Sequence, residues 1–236
     1  MPMAGEEGSN LMLVGIDIRL KGRCLITLSA EIAAGEVLTV MGPSGSGKST
    51  LLAYIGGFID PVFTAMGEVR IAGRNLAELP PEDRHAGILF QDPLLFPHMS
   101  VGANVAFAVP AAISRRAERR RIATQALGDV GLADFFDRDP DTLSGGQKAR
   151  VALARVLVSQ PRLLLLDEPF SKLDAPLRSQ MRQLVFARAR EAALPVILVT
   201  HDEADAAAAG GILHRLGDGG DNDPAATGYR IWQSAV

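Results

Sequence analysis

Apolar positions along the chain fall into short runs of two kinds. Residues 163–166 are four consecutive leucines, and Val196–Thr200 is almost as apolar. Runs of that length without polar interruption predict parallel strands buried on both faces. Val37–Met41 predicts another strand, as do residues 68–71 and 87–91, and residues 11–27 predict two short strands around Lys21-Gly22. The second kind of run has helical spacing. Residues 48–54 and 147–158 predict helices. So does the stretch after Asp174, with Pro176 in its first turn and Leu177, Met181, Leu184 and Val185 at helical intervals. Strands alternating with helices imply an α/β sheet. Residues 100–140 are rich in Ala and Arg and read as a helical lobe inserted between two sheet segments. No internal repeat is visible.

Composition narrows the class. The chain's 236 residues allow one large domain, or one with a smaller lobe. With 47% hydrophobic and 22% charged residues, it can bury a core and is neither disordered nor collagen-like. The formal charge of −3 argues against a protein that coats DNA or RNA. A single cysteine, Cys24, excludes a disulfide framework and a cysteine-based zinc cluster, and fits a reducing compartment. The mean hydropathy of +0.15 raises the question of a membrane span. A span needs about 20 apolar residues, and the longest runs here are strand-sized. The N-terminus, MPMAGEEGSN, is acidic where an export signal is basic. The expectation is a soluble cytosolic chain able to dock on a membrane partner. Residues 1–10 and 217–236 are expected to be flexible tails, with no regulatory C-terminal domain.

The chemistry begins at residues 42–49. Gly42, Pro43, Ser44, Gly45, Ser46, Gly47, Lys48 and Ser49 satisfy G-x-x-x-x-G-K-S/T, between a predicted strand and a predicted helix. Glycines let successive backbone N–H groups curl toward phosphate oxygens, and the helix adds its positive end. Lys48 would reach the β- and γ-phosphates and Ser49 would ligate Mg²⁺. The motif predicts a nucleoside triphosphate site. Residues 163–166 lead into Asp167-Glu168 at the strand's C-terminal end, where α/β sheets bind ligands. Asp167 is the natural Mg²⁺ partner, and Glu168 is free to accept a proton from the attacking water.

Leu143-Ser144-Gly145-Gly146-Gln147 matches, letter for letter, the signature of the ATP-binding-cassette (ABC) ATPases. With the elements in the family's order over roughly residues 11–215, the chain resembles that family. The resemblance implies an α/β fold: a P-loop NTPase core with a mixed sheet and an inserted helical subdomain at about residues 92–160, inside a cassette spanning 11–216. It implies a head-to-tail homodimer in which Ser144, Gly145, Gly146 and Gln147 of one copy close over the nucleotide held by the other. It implies ATP and Mg²⁺ as cofactors. Thr50 and Gln91 would join the nucleotide site, with Ser49, Gln91 and Asp167 around Mg²⁺. His201 matches the switch histidine that contacts the γ-phosphate, so Glu168, His201 and Lys48 are the expected catalytic residues. Asp174 matches the aspartate that signals across the dimer, although it would equally cap the following helix. Residues 96–99 resemble the surface that receives a permease, or else form local core.

Two departures stand out. Residues 1–50 contain no Phe, Tyr or Trp to stack on the base, which leaves aliphatic or arginine side chains around residues 20–23 and puts the preference for ATP over GTP in question. Lys172 replaces a usually small residue. The arginines of residues 115–121 read as a solvated helix face rather than a nucleic-acid site. The text is closest to small importer cassettes of the thiamine type and an uncharacterised solute-uptake group. The expected function is therefore the energising subunit of an importer, on the cytoplasmic face of the membrane. Its expected partners are an integral-membrane permease and a separate solute-binding protein, with no nucleic acid. An exporter cassette and a soluble ABC ATPase acting on DNA or ribosomes are the alternatives.

Overall fold

The computed structural model describes residues 10–216. The expectations for residues 1–9 and 217–236 lie outside the described residues. Nine strands and six α-helices follow one another within them. In chain order they are β1 (Leu11–Leu20), β2 (Arg23–Ile32), β3 (Val37–Met41), α1 (Lys48–Gly56), β4 (Phe63–Ile71), β5 (Arg74–Asn75), β6 (Ala86–Leu89) and α2 (Val101–Phe107). After these come α3 (Arg116–Asp129), α4 (Gly145–Val158), β7 (Leu163–Asp167), α5 (Ala175–Glu191), β8 (Val196–Thr200), α6 (Glu203–Ala209) and β9 (Ile212–Arg215).

The strands divide between two sheets. One is parallel, in the order β6-β7-β8-β3-β9; the other is antiparallel, β2-β1-β4-β5. The parallel strands read as continuous apolar runs because both of their faces are covered. In β7, Leu164 and Leu166 pack with Val151 of α4 and Met181 of α5, while Leu163 and Leu165 pack with Leu51 of α1 and Ile16 of β1. All four leucines are fully buried, and each contributes about 1.5–3 kcal/mol by leaving water. A charged residue at any of them would break the centre of the sheet. The antiparallel sheet covers one of its faces only, so its strands alternate buried and exposed positions. The Tyr54 hydroxyl donates to the Gly67 carbonyl at 2.7 Å and ties α1 to this sheet.

Helices α2, α3 and α4 join one buried cluster through Val105, Leu127 and Val151. Three of the four arginines of α3 have partners within the described residues. Arg119 donates to the carbonyls of Ala106, Phe107, Pro110 and Ile113; Arg120 pairs with Asp137 and lies 3.9 Å over the Phe136 ring; Arg121 pairs with Glu118. No described helix is long and apolar enough to cross a membrane.

Candidate functional site

Strands β7, β8 and β3 are neighbours in register, with Asp167 opposite Val199 and Met41 opposite Thr200. Their C-terminal ends therefore deliver residues 42, 167–168 and 201 to one edge of the sheet. From Met41 the chain turns through residues 42–47 into α1. A Cβ at Gly42 would lie 2.9 Å from the Leu216 Cβ and 3.0 Å from the Ser46 Oγ, so only glycine fits there. Gly45 and Gly47 take φ of +80° and +90°, the left-handed conformation that lets the loop curl before α1 begins.

Inside that curl Lys48 is buried, its Nζ donating to the carbonyls of Gly42 at 2.8 Å and Pro43 at 2.7 Å. Burial pushes this ammonium below the ordinary lysine range, against the pull of Glu168 and Asp167. The Ser46 Oγ is also buried and has no hydrogen-bond partner. A cradle holding a buried cation and an orphaned hydroxyl suits an oxyanion, which would accept from both.

Ser49, in the first turn of α1, donates through Oγ to Asp167 Oδ1 at 3.0 Å. Burial raises the Asp167 carboxyl above the usual range and the Glu168 charge adds to this, while the Ser49 hydrogen bond and Lys48 oppose it. Next to it, Glu168 adopts φ +46°, a left-handed conformation uncommon for a side chain of this kind. The turn is held by the Glu168 amide donating to Val199 O at 2.9 Å, and by the Ser171 amide and hydroxyl donating to Glu168 O at 3.2 and 2.9 Å. Glu168 Oε1 then stands 3.1 Å from His201 Nδ1. Among the described residues no three His, Cys, Asp or Glu converge on a metal-sized site. Mg²⁺ on a nucleotide needs no such cluster, because it takes one or two protein ligands and fills its octahedron with phosphates and water. Ser49 and Asp167, already adjacent, fit that requirement.

The other sequence-predicted residues stand apart from this cluster. Gln91 is exposed on the loop leaving β6, and its side chain makes no hydrogen bond within the described residues. Its neighbour Asp92 pairs with Lys172. Ser144 opens α4 through a capping box: its hydroxyl accepts from the Gln147 amide at 3.3 Å, and its own amide donates to Gln147 Oε1 at 2.9 Å. A Cβ at Gly146 would lie 2.1 Å from the Leu177 Cδ2, so the start of α4 packs closely on α5, while Ser144 and Gly145 face solvent. Asp174 caps α5, accepting from the Leu177 amide at 3.0 Å. No hydrogen bond joins Ser144, Gly145, Gly146, Gln147 or Asp174 to residues 42–50.

Sequence reading missed several polar side chains that hold these loops. The fully buried Asn104 accepts from the Phe96 amide at 2.8 Å and donates to the carbonyls of Phe96, Met99 and Ser100. Arg155, whose guanidinium burial holds below the usual arginine range, donates to Pro93 O at 2.9 Å and Leu94 O at 2.8 Å. Residues 93–100 are thus fixed from two sides, with Leu94 57% exposed, and the Phe96 ring meets that of Phe107, itself 61% exposed, at 5.3 Å. A cavity of about 300 Å³, lined by Ser49, Asp167, Phe58, Phe63, Ile88 and Phe90, opens next to the Ser49–Asp167 pair.

Residues 25–171 match the ABC transporter family model. The uncharacterised ABC transporter ATP-binding protein YnjD of Escherichia coli (strain K12) is 45% identical over 204 residues, covering 86% of this chain and 94% of that one. The thiamine import ATP-binding protein ThiQ of Vibrio parahaemolyticus is 42% identical over 79% of this chain and 78% of its own. The spermidine/putrescine import ATP-binding protein PotA of Pseudomonas aeruginosa (strain UCBPP-PA14) is 46% identical over 80% of this chain, which spans 50% of PotA's length.

Proposed function

The chain belongs to the ABC transporter family as an ATP-binding ATPase, and we propose that it powers uptake of a solute through a separate membrane permease, working as a head-to-tail dimer. The observation that carries the reading is the convergence of Lys48, the Ser49–Asp167 pair and the Glu168–His201 pair on one sheet edge. The ATP phosphates lie in the curl of residues 42–50, met by its amides and by Lys48 once that ammonium leaves the loop carbonyls. Ser49 and Asp167, with Gln91, would hold Mg²⁺, which supplies charge neutralisation on the phosphates. Glu168 orients the water that attacks the γ-phosphorus and takes its proton as the bond to ADP breaks. His201 donates to the γ-phosphate oxygens. Catalysis of this kind is positioning and charge stabilisation.

Each triphosphate is sandwiched between this loop and Ser144, Gly145, Gly146 and Gln147 of the second copy, with Asp174 relaying closure between sites. The solvent-facing start of α4, held by its own capping box away from residues 42–50, supports this arrangement. The cassette spans residues 11–216, with residues 92–160 as its helical subdomain. The exposed Leu94, on the segment fixed by Asn104 and Arg155, and the exposed Phe107, packed against Phe96 of that segment, suit an apolar docking helix of the permease. The import names of ThiQ and PotA support import; a solute-binding protein chooses the cargo, and the chain works on the cytoplasmic face of the membrane. Purification of the tagged chain from detergent-solubilised cells tests the reading. A multi-span permease co-purifying with ATPase activity supports it; ribosomes or DNA in its place overturn it.

A further inference from the structure

Glu168 and His201 sit on different loops, and one guanidinium spans both. Arg178, in the first turns of α5, donates through Nη2 to Leu173 O at 2.9 Å and Ser171 O at 3.4 Å, in the loop that begins at Glu168. Through Nη1 it donates to Asp202 Oδ2 at 3.0 Å, one residue beyond His201. The Asp202 carboxylate is held from several sides. Arg182, one turn along α5, reaches the same oxygen at 3.2 Å and also pairs with the buried Asp205, while Asp202 Oδ1 accepts from the Ala204 amide at 2.8 Å. On the other flank of His201, the Thr200 hydroxyl donates to Asp205 at 2.9 Å and accepts from the Asp202 amide at 3.1 Å. The His201 side chain is itself 64% exposed, with Glu168 its one charged partner within the described residues. The imidazole is therefore placed by the backbone of residues 200–202, and that backbone is pinned by the arginines of α5.

We infer that Arg178 is a positioning residue for ATP hydrolysis, setting His201 against Glu168 by bracing the loop after β7 to the turn after β8. The inference rests on the roles proposed above for Glu168 and His201. A planar fork is what the task requires, because two carbonyls and a carboxylate must be met from one rigid group. Lysine offers a single point of charge. Arg178 stands outside residues 42–50, so its loss leaves the phosphate cradle intact.

The test is steady-state ATP turnover by the full chain as wild type, Arg178→Met, Arg178→Lys, His201→Ala and the Arg178→Met/His201→Ala double variant. Arg178→Met is expected to lower kcat by about 10- to 100-fold, the usual result of a misplaced catalytic group, with the KM for ATP within about twofold of wild type. Arg178→Lys should recover only part of the loss. The double variant should be no slower than His201→Ala, because the arginine acts through the histidine. Wild-type kcat in Arg178→Met, beside a slow His201→Ala, overturns the positioning role alone; so do losses that multiply in the double variant. Wild-type turnover in His201→Ala overturns the role of the histidine, and that of Arg178 with it. Should Arg178→Met fail to fold, Asp202→Asn keeps the oxygen that caps α6 and removes the charge facing Arg178. The same fall in kcat at constant KM is expected there, and an unchanged kcat contradicts the inference.

Discussion

His201 Nδ1 stands 3.1 Å from Glu168 Oε1, a meeting imposed by β7 and β8 lying side by side with Asp167 opposite Val199. In the proposed function this carboxylate and imidazole divide the work of hydrolysis between proton acceptance and γ-phosphate contact. Glu168→Gln retains the shape and loses the proton acceptor. It is expected to bind ATP normally while turnover falls by at least about 100-fold, measured by nucleotide titration and phosphate release. Turnover near the wild-type rate would remove Glu168 from the chemistry.

Lys48 has its ammonium folded onto the loop's own carbonyls, a buried charge ready for a phosphate. Lys48→Ala is expected to cost about 1.5–3 kcal/mol of nucleotide binding, roughly a 10- to 150-fold weaker affinity. Isothermal titration with ATP checks this, with the melting temperature confirming that the variant is folded. Wild-type affinity together with wild-type turnover would count against the cradle.

Ser144 and Gly145 face solvent at the tip of α4. Ser144→Arg places a bulky cation where, in the proposed dimer, the second copy's nucleotide approaches. Binding of ATP by a single copy is expected to survive, and ATPase activity is expected to fall to the level of Glu168→Gln. An unchanged rate would show that hydrolysis does not need the composite site.

Asp202 gives a pH signature. Burial works to raise its carboxyl, but the Ala204 amide, the Arg182 charge and the Arg178 hydrogen bond outweigh burial and hold it below the ordinary 3.8. A carboxyl depressed in the folded state adds stability above its unfolded pKa and loses it as the pH falls through the folded one. Asp202→Asn should therefore be less stable than wild type at neutral pH. The gap should close as the pH falls below 3.8, in urea titrations at several pH values. A gap independent of pH would show that the Arg178–Asp202–Arg182 contacts add nothing through charge.

Much of this was legible in the sequence where burial is complete on both sides of an element. The four leucines of β7 and the residues of β8 announce themselves because no position along them faces water. Residues 42–49 were legible because backbone curvature demands glycine at fixed spacing. The first half of β4 was missed because its residues alternate between exposed and half-buried, with Met66 56% exposed, so no apolar run marks it. Helix α6 and strand β9 are short, and Gly210-Gly211 between them reads as a break. The division into two sheets rests on strand order, which local pattern does not encode. The braces at Asn104, Arg155 and Arg178 were invisible for a related reason. Their partners are mainly backbone carbonyls, Arg155 reaching Leu94 across 61 residues, and a carbonyl carries no residue identity.

The sandwiching of ATP between two copies is tested most directly by small-angle scattering of the Glu168→Gln chain with and without ATP. A monomer that becomes a compact dimer only when ATP is present, and that stays monomeric when Ser144→Arg is added, is the expected result. A scattering mass that stays monomeric at saturating ATP, while wild-type activity per molecule is independent of protein concentration, would contradict it.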